Sequence, residues 1–155
     1  MKAWLCLAII WLVLIGTGAC SETFGEQKSG MEEVSSPYVV ITVGEHILHA
    51  VPEHNDSAKE WLELLEKGNL TVEMEDYGGF EKVGDLGAEL TRNDEPITAE
   101  PGDVILYQGN QITIYYGTNS WNFTRLARIE DTEGLKDKLG EGKVTVTFSL
   151  EDNGI

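Results

Sequence analysis

The sequence has little cysteine and little positive charge, and both shortages limit what the protein can do. Its two cysteines, Cys6 and Cys20, lie within the first 20 of 155 residues. The rest of the chain therefore offers no disulfide, thiol nucleophile or cysteine-based metal site. Lys and Arg number 11 against 27 Asp and Glu, which gives a net charge of −16. Because such a surface repels phosphate backbones, we expect no nucleic-acid partner and no contact with an anionic membrane face beyond an N-terminal anchor.

Motifs for catalysis and for cofactor binding are also missing. The sequence contains no nucleophile elbow, phosphate-binding glycine loop or zinc-protease helix. His46 and His49 would lie on opposite faces of one strand, which disfavours a shared metal site. The carboxylates of Glu73, Glu75 and Asp76 lack the oxygen spacing of a calcium loop. We therefore expect neither a metal ion nor a cofactor.

The N-terminus has the plan of an export signal. Lys2 precedes an apolar run over 3–15, and small residues lead to Cys20. Two kinds of processing fit: lipidation of Cys20, as in bacterial lipoproteins, or ordinary cleavage around Ala19. An uncleaved anchor is a third alternative, although the apolar run is short for a membrane-spanning helix. We expect a signal at 1–20, a polar flexible tether at 21–36 and one folded domain at 37–155.

Short alternating segments dominate the rest of the chain. They predict strands over 38–43, 46–51, 70–74, 80–86, 103–107, 111–117, 124–131 and 143–150. One helix should begin at Asn55 or Asp56 and end at Gly68, and a short helix should precede Gly140. Residues 91–102 predict a loop. This pattern is typical of a mainly β domain, either a closed or nearly closed antiparallel barrel or a sandwich, capped by two helices.

Three segments resemble the cyclophilin-like proteins of bacteria and archaea. They are "MEDYGGFEKVGDL" at 74–86, "NDEPITAEPGDVILYQGNQITIYYG" at 93–117 and "TRLARIEDTEGLKDKLGEGKVTVTF" at 124–148, and their order and spacing carry the resemblance, which covers about 39–150. It implies a cyclophilin-like closed antiparallel β-barrel of about eight strands with two short capping helices.

The related true cyclophilins catalyse prolyl cis/trans isomerisation, a reaction with an uncatalysed barrier of about 20 kcal/mol. Their pocket takes the proline ring on aromatic and aliphatic side chains, and an arginine polarises the prolyl amide. The Phe-His-Arg and Gln-Phe-Phe segments that belong to that pocket do not occur in this sequence. The resemblance therefore implies the architecture of the family and leaves the function open.

Aromatic residues and a few polar ones form the candidate ligand site. The candidate residues are Tyr77, Phe80, Tyr107, Gln108, Tyr116, Trp121 and Arg125. Tyr115 and Tyr116 should point to opposite faces of their strand, so only one of them can line a given pocket. Arg125 is the preferred residue for contacting an amide carbonyl or a carboxylate, and it would be the catalytic residue if the protein were an enzyme.

These observations favour a binding module for a small molecule or peptide, exported to the cell envelope and tethered to the membrane. One alternative is a divergent peptidyl-prolyl isomerase that uses Arg125. Another is an envelope scaffold that acts through its acidic surface, with binding that weakens as salt rises.

Overall fold

The computed structural model describes residues 37–151 of the chain. The expected signal, the tether and Cys20 lie outside the described residues. The strands are β1 (Val39–Val43), β2 (His46–Pro52), β3 (Leu70–Tyr77), β4 (Glu81–Asp85), β5 (Glu95–Ala99), β6 (Asp103–Tyr107), β7 (Gln111–Tyr115), β8 (Asn119–Ile129) and β9 (Val144–Leu150), and the helices are α1 (Asp56–Glu66) and α2 (Leu135–Leu139). Neither helix is both long and apolar enough to cross a membrane.

Eight of the strands form a closed antiparallel ring. Their order is β2-β1-β9-β3-β4-β7-β6-β8, and β8 pairs again with β2 to close the ring. The ninth strand, β5, lies outside the ring and pairs with the first half of β8. The predicted class, mainly β in a closed antiparallel arrangement with two helices, is confirmed.

The main core fills the inside of the ring. Alternate residues of each strand point inward, as Ile112 and Ile114 of β7 do. Helix α1 adds Trp61, whose ring meets that of Phe148 edge-on at a centroid distance of 5.7 Å. A smaller apolar cluster packs on the outer face of the ring, where β5 and the start of β8 lie; its buried members are Ala99, Ile105, Tyr115 and Phe123. This outer cluster is the foundation of the site described below.

An inward position near the start of β4 is occupied by a charged residue. Lys82 is 0% exposed, and its Nζ lies 2.9 Å from Oδ1 of Asp76 and donates to the carbonyl of Gly142 at 2.6 Å. Asp76 also accepts from the hydroxyl of Tyr116 at 3.0 Å and from the Gly142 N–H at 2.6 Å. These contacts give every polar group at this position a partner, so the ammonium can be buried.

The predicted turn and helix boundaries largely match the structure. Gly44 and Glu45 connect β1 to β2, and Asn55 caps α1 by accepting from the Ala58 N–H at 2.8 Å. Ser57 and Glu60 have the spacing of a capping box but form none, because the N-cap is Asn55; the Glu60 carboxylate accepts from the backbone N–H of Thr91 at 2.7 Å. That bond ties the 86–94 segment to the helix.

The sequence prediction was wrong about two strands. Residues 91–102, predicted as a loop, contain β5, and β8 begins at Asn119 rather than at Thr124. The two errors have one cause, because β5 and the early part of β8 pair with each other. Each segment has only two apolar residues in alternation, Ile97 and Ala99 in β5 and Trp121 and Phe123 in β8. The two segments become strands by pairing with each other.

Candidate functional site

A pocket of about 430 Å³ lies on the outer face of the ring, over β4, β7 and β6 and beside the start of β8. Gln111, Thr113 and Tyr115 line it, and they alternate along β7 with the inward-pointing Ile112 and Ile114. The period of two along a strand therefore assigns one set of β7 side chains to the core and the other set to the pocket. We call this the aromatic pocket, after the five aromatic residues that line it: Tyr77, Tyr107, Tyr115, Trp121 and Phe123.

Two of these aromatic residues stand open at the rim of the aromatic pocket. Tyr77 is 63% exposed and Trp121 is 65% exposed, although both are large apolar side chains. The deeper rings are packed: Phe80 stacks on Tyr115 at 5.9 Å, and Phe123 lies 5.8 Å from the same ring. The pocket thus has fixed inner walls and two exposed rings that a ligand could cover.

The polar floor of the aromatic pocket is formed by Glu81 and Thr113. Glu81 opposes Tyr115 across the β4–β7 pair and is only 7% exposed. Burial raises the pKa of the Glu81 carboxyl, and the nearby hydroxyls of Tyr115 and Thr113 oppose this rise. Burial and the same carboxyl also raise the pKa of the Tyr115 hydroxyl. These groups therefore share a low-dielectric environment with few compensating charges.

The structure brings together three of the predicted site residues as pocket lining: Tyr77, Tyr107 and Trp121. Phe80 stands behind the lining, where it supports Tyr115 by stacking. Gln108 lies in the turn after β6, and its side chain donates to the Tyr107 hydroxyl at 3.2 Å. Gln108 therefore touches a lining residue from outside the pocket.

Tyr116 lies on the other face of β7, away from the aromatic pocket. Its hydroxyl donates to Asp76, and burial together with this carboxylate raises the pKa of Tyr116 to about 12. The expectation that only one of Tyr115 and Tyr116 can line the pocket holds, but the lining residue is Tyr115. A choice between them depends on the register of β7, which the sequence does not reveal.

Arg125 also lies outside the aromatic pocket. Its Nη2 donates to Oδ2 of Asp103 at 2.9 Å, and its Nη1 lies 3.8 Å from the Glu53 carboxylate. Arg128 approaches the same two carboxylates at 3.6 Å and 3.4 Å. Arg125 borders a separate cavity of about 210 Å³, and Phe123 lies between the two cavities as a wall of both.

Sequence reasoning chose Tyr116 in place of Tyr115, and it missed six further lining residues: Glu81, Val83, Gln111, Thr113, Asn119 and Phe123. Glu81 and Thr113 have the polar character of solvent-facing strand positions, and such positions look alike whether water or a pocket covers them. The signal that could have found them is the alternation of β7, provided that the inward set had been assigned first. Among the described residues, no group of three or more His, Cys, Asp or Glu side chains is arranged to hold a metal ion.

Comparison with known proteins supports the fold. The model of the cyclophilin-like family matches residues 41–149. A hypothetical protein from Archaeoglobus fulgidus, known from a solution structure, is similar at a TM-score of 0.57 and 15% identity, over 78% of this chain and 100% of that chain. No curated protein sequence matches the chain. At 15% identity the structural similarity supports the fold alone. The family model, in contrast, matches most of the sequence. The chain therefore belongs to the cyclophilin-like family.

Proposed function

We propose that the domain is a binding module that takes a small molecule or a peptide in the aromatic pocket. The observation that carries this proposal is the pairing of two exposed rings, Tyr77 and Trp121, with a buried polar floor in one cavity of about 430 Å³. Cavities of this size, with apolar walls and a few fixed polar groups, are typical of ligand sites. No cysteine, histidine or lysine lines the pocket, and the hydroxyls near Glu81 belong to the buried Thr113 and to Tyr115, so the arrangement favours binding over group transfer.

The isomerase alternative has less support from the geometry. That reaction requires a guanidinium directed at a prolyl amide inside an apolar pocket. The guanidinium of Arg125 is instead held by Asp103 and Glu53, and it borders a cavity distinct from the aromatic pocket. We therefore propose binding as the function and treat isomerisation as an activity to be measured alongside it.

The proposed binding can be tested by screening the purified protein against aromatic fragments and proline-containing peptides, with ligand-detected NMR. We expect hits whose affinity falls about tenfold in Trp121→Ala, because an aromatic anchor at a pocket rim contributes strongly to binding. Ile47→Ala is the matched control: Ile47 is 62% exposed, on β2, and is not a lining residue. Hits that respond equally to both variants, or the absence of any hit, would contradict the proposal.

We also propose that the protein is exported and tethered to the membrane. Support comes from the N-terminal sequence, in which an apolar run and small residues precede Cys20. If Cys20 carries lipid, Cys20→Ser should abolish incorporation of a labelled fatty acid and release the protein from the membrane fraction. Retention of Cys20→Ser in that fraction would favour an uncleaved anchor, and a wild-type protein found only inside the cell would contradict export.

A further inference from the structure

We propose that the aromatic pocket selects ligands that carry a cationic nitrogen on an apolar body, with Glu81 as the counter-charge. The inference rests on the proposed binding function and names the ligand class for that site. It depends on the surroundings of Glu81, on a buried hydroxyl without a partner, and on the aromatic walls.

Glu81 is a buried carboxyl group with no cationic partner in the part of the chain that the structure describes. It forms no ion pair with any lysine or arginine between residues 37 and 151. Its chain neighbour Lys82 points to the other face of β4 and is bound to Asp76. Burying an ionised carboxylate without a charged partner costs free energy. Burial raises the pKa of the Glu81 carboxyl, and a cationic nitrogen beside it would favour the ionised form.

Thr113 provides a second polar group without a partner. The residue is 2% exposed, and among the described residues its buried Oγ1 has no hydrogen-bond partner of good geometry, although it lies near enough to the Glu81 carboxyl to lower the pKa of that group. Thr113 sits on β7 opposite Val83, two residues from Glu81 along β4, and it lines the same pocket. Buried hydroxyl groups normally have a partner, and this oxygen can accept a hydrogen bond from an N–H group.

The walls suit a cation as well as an apolar group. Five aromatic rings line the pocket, and none of the lining residues is a lysine, arginine or histidine. Aromatic faces attract cations through the ring quadrupole, and this attraction strengthens when water is displaced. The net charge of −16 adds a long-range field that concentrates cations and repels anions near the surface. An anionic ligand would therefore meet a like charge both at a distance and in the pocket.

The test compares three probes of similar shape by calorimetric titration of the purified full-length protein in mild detergent. Phenethylamine carries the cation, 2-phenylethanol is its neutral counterpart, and phenylacetate is an anion. We expect the amine to bind about tenfold more tightly than the alcohol, and phenylacetate to bind more weakly than either. Equal binding of amine and alcohol, or tightest binding of phenylacetate, would overturn the proposal and leave a neutral-ligand module standing.

Two carboxyl variants locate the effect. Glu81→Gln should reduce the ratio of amine affinity to alcohol affinity to within about threefold, because the variant removes the charge that distinguishes the two probes. Glu63→Gln removes an equal charge from the exposed face of α1 and should leave the preference intact. A preference that survives in Glu81→Gln would refute the role of Glu81. If neither amine nor alcohol binds, the cation proposal fails, whereas the binding function fails only if the fragment and peptide screen is also negative.

Discussion

The buried Lys82 offers the sharpest test of how this fold is held together. Replacing Asp76 by Asn keeps the shape of the side chain and removes its charge. The ammonium of Lys82, 0% exposed, would then lose its negatively charged partner at 2.9 Å and keep neutral acceptors, the Gly142 carbonyl at 2.6 Å and at best the amide oxygen of the new side chain. An Asn side chain also presents an NH2 group to one of the donors that now approach Asp76, so at least one hydrogen bond is lost.

Breaking a buried ion pair by removing one partner costs roughly 3–5 kcal/mol. The Asp76 side chain is 35% exposed, so water screens part of the interaction and we expect the lower end, about 3 kcal/mol. Lys82→Met should cost less, about 1 kcal/mol, because no charge is left buried and Asp76 keeps its other donors. In the double variant the two changes should not add, with a coupling of roughly 2 kcal/mol.

Urea unfolding of the wild type, the two single variants and the double variant at pH 7 measures this coupling. The pH dependence gives an internal check. Lys82 holds the pKa of Asp76 below its usual value, so the stability that the pair contributes is present above the pKa of an unfolded aspartate and is lost as the pH falls through the folded pKa. The gap between wild type and Asp76→Asn should therefore close on acidification. Additive single effects, or a loss below 1 kcal/mol, would refute the reasoning.

Three further changes test the site and its surroundings. Burial raises the pKa of Glu81, so the folded state loses stability as the pH rises from the pKa of the unfolded chain to that of the folded protein. Glu81→Gln should therefore raise Tm at pH 8 and have little effect on Tm near pH 4. Equal shifts of Tm at both pH values would contradict this reasoning. Arg125→Met leaves the carboxylate of Asp103, 3% exposed, with weaker partners, so the free energy of unfolding in urea should fall by about 3 kcal/mol. Arg92→Ala is the control: it breaks an exposed ion pair and should lower the free energy of unfolding by at most about 0.5 kcal/mol. In Gly84→Ala the new methyl group would lie 2.5 Å from a backbone carbonyl oxygen of β3, so we expect the free energy of unfolding to fall by about 3 kcal/mol. A fall below about 1 kcal/mol in thermal or urea unfolding would show that strands β3 and β4 can move apart.

The sequence came close to the fold because most of its strands are locally consistent. The hairpin over 39–52, the turn at 78–80 and the last strand at 144–150 each combine alternating apolar residues with glycine or polar turns. Strand β5 has no such local pattern. It is a short edge strand that contains Pro96, and proline in a polar stretch is typical of a loop. Only its pairing with β8 makes it a strand.

The candidate site was half predictable for a related reason. Aromatic side chains are natural candidates for a ligand site in any sequence, and three of those predicted here, Tyr77, Tyr107 and Trp121, line the pocket. The groups that give the pocket its chemistry, Glu81 and Thr113, resemble ordinary polar strand residues. Their burial follows from the outer layer of β5 and early β8, which the sequence did not predict.

The sequence by itself determined the family, the strand periodicity and the acidic character, because these are properties of residue order and composition. Tertiary structure alone decided which alternating set of each strand faces the core, since a shift of one residue reverses every side chain. The tertiary structure thereby places Tyr115 in the pocket, Tyr116 beside Asp76 and Arg125 beside Asp103. These assignments depend on contacts between residues distant in the chain, and no local pattern encodes them.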